Sequence, residues 1–167
     1  SADRDLLVNL CALLFILPFF LFSALGGQLG EKFDKDELIR KVKFAEIFIM
    51  LTGAAGVLLG SLPLMLFSLF AMGTQSALFG PVKYSILPQH LQPEELVGGN
   101  ALVEMGTFLA ILAGTLTAGI MMASSAYAGI VASSVVCVSV VGYLASCKIP
   151  HAPAALPSLE LDWNIFR

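Results

Sequence analysis

The chain has 167 residues, of which 57 % are hydrophobic and only 13 % charged, with a mean hydropathy of +0.88. A soluble domain carries about 25 % charged residues, and so few charges do not cover the surface of a soluble protein of this size, which leaves an integral membrane protein. The formal net charge of −3 decides little; where the charges lie decides more.

Five apolar runs, 6–25, 44–60, 62–80, 101–123 and 126–147, are long enough to cross a bilayer, which takes roughly 17–25 residues. Backbone groups in lipid need internal partners, so each run is predicted as a helix. The first run is too long for the apolar part of a signal peptide, and no basic region leads it. After it comes GGQLGEKFDKDELIRK, residues 26–41. There Gly27 and Gly30 are expected to let backbones approach closely at a turn. Glu31 and Lys32 supply a charge pair, and Arg40 and Lys41 a basic cluster. Glu46 is the only carboxylate between Phe44 and Gly80, and its neighbour Lys43 is the expected partner. Asn9 and Gln75 are polar residues within the runs, suited either to line a path or to bond a neighbouring helix.

Between the third and fourth runs lies GPVKYSILPQHL, residues 80–91. Pro81, with no amide proton, is expected to end or kink the helix before it. Lys83 then sits at the membrane boundary, where its stem lies along apolar surface and its ammonium reaches water or a lipid phosphate. Tyr84 suits the same interface. Pro88 and Pro93 break the chain again, PEEL at 93–96 reads as a helix start, and Gly98-Gly99 as a flexible joint before the fourth run. Asn100 and Glu104 are four apart and share a helix face with Thr107. Gly106, Ala110, Gly114 and Ala118 repeat every four residues as a packing seam. Gly106 lies about 200° around the helix from Glu104, so the polar face is expected to point away from the seam and into a cavity. An acid inside a membrane helix is a functional candidate; the alternatives for Glu104 are a structural pair with Lys83 or the 40–43 cluster, or a carboxylate reaching the cytoplasm.

Residues 1–147 thus read as a helix bundle and 148–167 as a Pro/Ala-rich cytoplasmic linker with an amphipathic stub, and both ends read as cut from a longer protein. Alternate crossing places 26–43, 81–100 and the tail on one side, with every Lys and Arg except Arg4. The positive-inside rule makes that side cytoplasmic, in a bacterial inner membrane. The opposite turns, at Ser61-Leu62-Pro63 and Ser124-Ser125-Ala126, are short. Cys11, Cys137 and Cys147 read as small buried hydrophobes in a reduced state. His90 and His151 read as solvated, and neither a metal site nor a cofactor is expected. His90 followed after four residues by Glu95 has an acyltransferase-like spacing, but the acid is Glu and no second motif follows, so no enzyme activity is assigned.

Two stretches carry a resemblance. Gly27, Glu31, Lys32, Arg40 and Lys41 resemble the loop signature between helices two and three of the major facilitator superfamily, with Glu31 in place of the usual Asp and a more acidic spacer at Asp34, Asp36 and Glu37. The resemblance implies a gating role for those five residues. Residues 77–121 resemble the lysophospholipid transporter branch of that superfamily and its forms fused to acyltransferase and acyl-carrier-protein synthetase domains. Pro81, Lys83, Tyr84, Ile86, Leu87, Glu95, Leu96, Asn100, Ala101, Glu104 and Ala110 through Gly114 carry it. What it implies is an all-α membrane bundle comprising helices two to six of a twelve-helix transporter. The partners implied are membrane lipids, a lysophospholipid substrate such as lysophosphatidylethanolamine, the missing first helix and C-terminal half, and a fused or associated acyltransferase; no nucleic acid is implied. The substrate would move from outer to inner leaflet for reacylation, along a path including Lys83, Tyr84, Asn100 and Glu104. A facilitator for another solute or drug, and a structural membrane anchor for fused enzyme domains, remain as alternatives.

Overall fold

A computed structural model describes residues 2–121 and 127–161. Six helices follow in chain order: α1 (Ala2–Lys32), α2 (Lys35–Leu59), α3 (Leu62–Ser85), the short α4 (Leu87–His90), α5 (Leu96–Met121) and α6 (Ala128–Ser146), with a 3-10 turn at Pro93–Glu95 before α5. Among the described residues five helical segments are long and apolar enough to cross a membrane, so the bundle is an all-helical membrane fold. The predicted turn at Ser124-Ser125-Ala126, the ends of the two runs beside it and the stub 162–167 lie outside the described residues.

The helices outrun the apolar stretches that mark them. α1 continues through Gly26, Gly27 and Gly30 to Lys32, so the expected loop shrinks to Phe33-Asp34. Glycine disfavours a helix by about 1 kcal/mol relative to alanine, and packing against α3 offsets that cost. A Cβ at Gly26 would lie 2.9 Å from the Ala77 carbonyl oxygen, and one at Gly30 would lie 3.2 Å from Val82 Cγ2. Gly27 has nothing within 4 Å, so Gly26 and Gly30 make the close approach and Gly27 does not. α3 likewise runs through Pro81 to Ser85. The proline removes one amide donor, but Val82 and Ile86, which follow it, are buried and hold the turn in place. Gly98-Gly99 is helical and forms no joint; Gly99 leaves room for the Leu91 side chain.

α1 packs along α3, while α2 packs against both α3 and α6. α5 touches its neighbours sparsely and has no buried residue. α2 ends at Gly60, whose left-handed conformation (φ 62°) suits glycine, and Pro63 opens α3 where its missing amide is harmless. At the opposite end of the bundle, Ile39, Val82, Ile86 and Ala152 form the apolar core, with Leu38, Phe79 and Ile149 against it. That cluster joins the α1–α2 turn, the α3–α4 joint and the chain leaving α6. Cys11 is half-buried and Cys137, on α6, and Cys147, in the turn after it, are exposed, not buried as their apolar surroundings in sequence suggest.

Candidate functional site

The joint between α3 and α5 carries the densest set of candidate residues. Lys83 stands in the last turn of α3, where a cation complements the helix dipole. Its Nζ lies 4.5 Å from the centroid of the Tyr84 ring, within the range of a cation–π contact, and donates to Thr107 Oγ1 on α5 at 3.3 Å. Thr107 passes its own proton to the Val103 carbonyl at 2.8 Å. Glu104 lies three residues from Thr107 and is half-buried. Among the described residues it forms no ion pair, neither with Lys83 nor with the 40–43 cluster. Asn100 donates to the Leu96 carbonyl of its own helix at 2.9 Å. Across the α3–α5 contact, Lys83 therefore meets a hydroxyl and a ring, and Glu104, about one helical turn from Thr107 on α5, has no cation among the described residues.

The start of α5 is built from the sequence signals that predicted it. Glu95 Oε2 accepts from the Gln92 amide at 3.0 Å and closes a capping box over the 3-10 turn. That use of Glu95 accounts for the acyltransferase-like spacing, and His90 is exposed.

A second polar group lies deeper. Glu46 Oε2 accepts from Lys43 Nζ at 2.8 Å, as the sequence predicts, and from Gln75 Nε2 of α3 at 2.7 Å. Gln75 thus bonds a neighbouring helix. Lys43 Nζ also lies 4.9 Å from the centroid of the Phe79 ring. Glu46 borders a cavity of about 450 Å³ between α2, α5 and α6, whose α5 wall includes Ala110, Gly114, Thr117 and Ala118. Three residues of the small-residue row, Ala110, Gly114 and Ala118, thus face the cavity; Asn100 and Glu104, expected to point into one, do not line it. A row of every fourth residue drifts by about 40° per step on a helix of 3.6 residues per turn, so the row that begins opposite Glu104 curls toward the side of Thr107. A Cβ at Gly106 or Gly114 would meet nothing within 4 Å.

Among the described residues the 26–41 stretch forms two local ion pairs, and the expected Glu31–Lys32 pair is not one of them. Arg40 forms a salt bridge with Asp36, and Lys41 one with Glu37 at 2.9 Å. Lys32 closes α1, and the Glu31 carbonyl accepts from the Leu156 amide at 2.8 Å. Asp34 and Asp36, which the sequence marks only as an acidic departure, bind the tail: Asp36 Oδ1 accepts from the Ala152 amide at 3.0 Å and Asp34 Oδ1 from the Ala154 amide at 2.9 Å. His151, read as solvated, is exposed, yet its Nδ1 lies 3.2 Å from Asp36 Oδ1. No sequence signal pairs residues this far apart. Among the described residues, no group of three His, Cys, Asp or Glu side chains converges as a metal site.

Comparison with known proteins finds relatives that share one name. The chain is 32 % identical over 145 residues to "Lysophospholipid transporter LplT" of Salmonella schwarzengrund (strain CVM19633), and 31 % identical over the same length to the protein of that name in Salmonella newport (strain SL254). Each match covers 87 % of this chain. Along most of its length the chain is thus similar to proteins named as lysophospholipid transporters. It spans about a third, 34 %, of the length of those relatives. No protein-family model matches the chain, and no solved structure matches it.

Proposed function

We propose that this chain is part of a transporter that carries lysophospholipids, such as lysophosphatidylethanolamine, from the outer to the inner leaflet for reacylation inside. The observation that carries the reading is the match to lysophospholipid transporters along 87 % of the chain. The arrangement at the α3–α5 joint suits such a substrate. A zwitterionic headgroup needs a cation for its phosphate and an anion for its ammonium. Among the described residues Lys83 forms no ion pair with a carboxylate, and Glu104, one turn from Lys83's partner Thr107, none with a cation. Tyr84 flanks the phosphate side and Asn100 the approach. The apolar outer faces leave the acyl chain in lipid. Gly27, Glu31, Lys32, Arg40 and Lys41 act as the gating turn on the cytoplasmic side, and the row Gly106, Ala110, Gly114 and Ala118 is the face on which a further helix of the longer protein packs. The relatives are named as transporters, and reacylation belongs to a fused or associated acyltransferase.

The test is uptake of labelled lysophosphatidylethanolamine by the full-length protein in reconstituted vesicles, beside a panel of drugs. Lys83→Ala and Glu104→Gln are expected to lower initial uptake about tenfold, the loss of one charge-assisted contact of roughly 1.4 kcal/mol, at normal membrane abundance. Unchanged uptake in both variants removes the two residues from the mechanism. Uptake of drugs without lysolipid overturns the substrate.

A further inference from the structure

The chain does not leave the bundle where α6 ends at Ser146. It turns back across the end that holds the α1–α2 turn. Ile149 packs on the apolar cluster there, and Ala152 is wholly buried in it against Ile39, Val82 and Ile86. The backbone around that methyl group is pinned from both sides. The Lys35 amide donates to the Ala152 carbonyl at 2.8 Å, and the Ala152 amide to Asp36 Oδ1 at 3.0 Å. The Ala154 amide donates to Asp34 Oδ1 at 2.9 Å, and the Leu156 amide to the Glu31 carbonyl at 2.8 Å. From α4, Gln89 Nε2 donates to the Pro153 carbonyl at 3.1 Å. His151 Nδ1 lies 3.2 Å from Asp36 Oδ1, and Arg40 bonds the other carboxylate oxygen.

The strap therefore meets the end of α1, the start of α2, the end of α3 and α4. Alternate amides, at 152, 154 and 156, each find an acceptor, and Pro150 and Pro153 have no amide to leave unpaired while stiffening the segment. Asp36 is the centre of the arrangement. Its side chain is 5 % exposed, and a carboxylate so placed needs its donors. Lifting the strap would leave Asp36 with Arg40 alone and would strip the partners from several backbone groups together, so the contacts hold or fail as a set.

We propose that residues 149–156 are a clasp that ties the chain leaving α6 to the α1–α2 turn and the α3–α4 joint, with Asp36 as its positioning residue. The clasp stays closed through the transport cycle, so that these helix ends and the chain beyond them move as one body. Its existence rests on the geometry, and its part in the cycle rests on the transport function proposed above.

The test uses the full-length protein with Cys11, Cys137 and Cys147 replaced by alanine. A thiol placed by Ala152→Cys is expected to react slowly with maleimide, and at least tenfold faster when Asp36→Ala or the milder Asp34→Ala is added. Equal rates in all three proteins overturn the clasp. Gln89→Cys with Pro153→Cys, joined by a short bismaleimide, is expected to leave lysolipid uptake within twofold of the unlinked protein. A linked protein that stops transporting overturns a clasp that stays closed, and so does a pair that cannot be joined. If the parent shows no lysolipid uptake before any substitution, the transport reading fails, while the labelling rates still decide the clasp.

Discussion

Three carboxylates near one end of the bundle have different neighbours, and the neighbours set their use. Asp36 is held by the Ala152 amide, the His151 ring and an arginine, Glu46 by a lysine and a glutamine, and Glu104 by no cation among the described residues. Charges cost heavily in lipid, so a paired acid is explained by structure and an unpaired one calls for a ligand. For Glu46 the expectation is structural. Glu46→Ala and Gln75→Ala should each lower thermal stability, and the double variant should lose less than the sum by about 1 kcal/mol, the worth of a charged hydrogen bond. A double-mutant cycle from melting curves checks this; additive losses would show that the 2.7 Å contact contributes nothing. The sequence made the Lys43–Glu46 pair legible, because three residues separate them on one helix. It left Gln75 open, because its partner lies on another helix and the relative rotation of two helices is not written in either one.

Glycine marks a contrast between elements. α1 and α3 meet so closely that a Cβ at Gly73 would lie 2.5 Å from the Phe15 carbonyl oxygen, whereas Gly106 and Gly114 on α5 face open space. Gly73→Ala is expected to destabilise the protein by about 1–3 kcal/mol through overpacking. Gly114→Leu tests the proposed packing row. In the full-length protein a helix on that face makes it lose about as much, and an unchanged melting temperature would mean that no further helix packs on the row. The extent of α1 shows why element boundaries were only partly legible. Composition ends the apolar run at Leu25, but the helix continues to Lys32 because α3 packs on the glycine-containing turn. α3 passes Pro81 for a similar reason: the neighbouring Val82 is nearly fully buried.

For the molecule as a whole, short connections and alternate crossings bring the 33–34 turn, the 86–95 joint and the tail to one end, and contacts among Glu31, Lys35, Gln89 and the strap join them there. From the basic residues there and the positive-inside rule we propose that this end faces the cytoplasm. In a cysteine-free protein, single cysteines at Glu37 and Gln92 should react with an impermeant maleimide only from the cytoplasmic side, and one at Gly60 only from the other. Labelling of Glu37 and Gln92 positions from opposite sides would break the alternating arrangement.

Composition alone determined that this is a helical membrane protein, since 13 % charged residues do not solvate a surface and lipid leaves the backbone no partner but itself. The spacing of residues 77–121 was enough to show its resemblance to lysophospholipid transporters. Only the tertiary structure decided which polar groups meet. Hydropathy reports how far a segment goes into lipid but not which way each helix face turns or where a polar tail folds back. The long-range bonds of Asp34 and Asp36 to residues 152–154, the Glu46–Gln75 contact and the isolation of Glu104 all depend on that rotation and return, and so became visible only when the helices were packed.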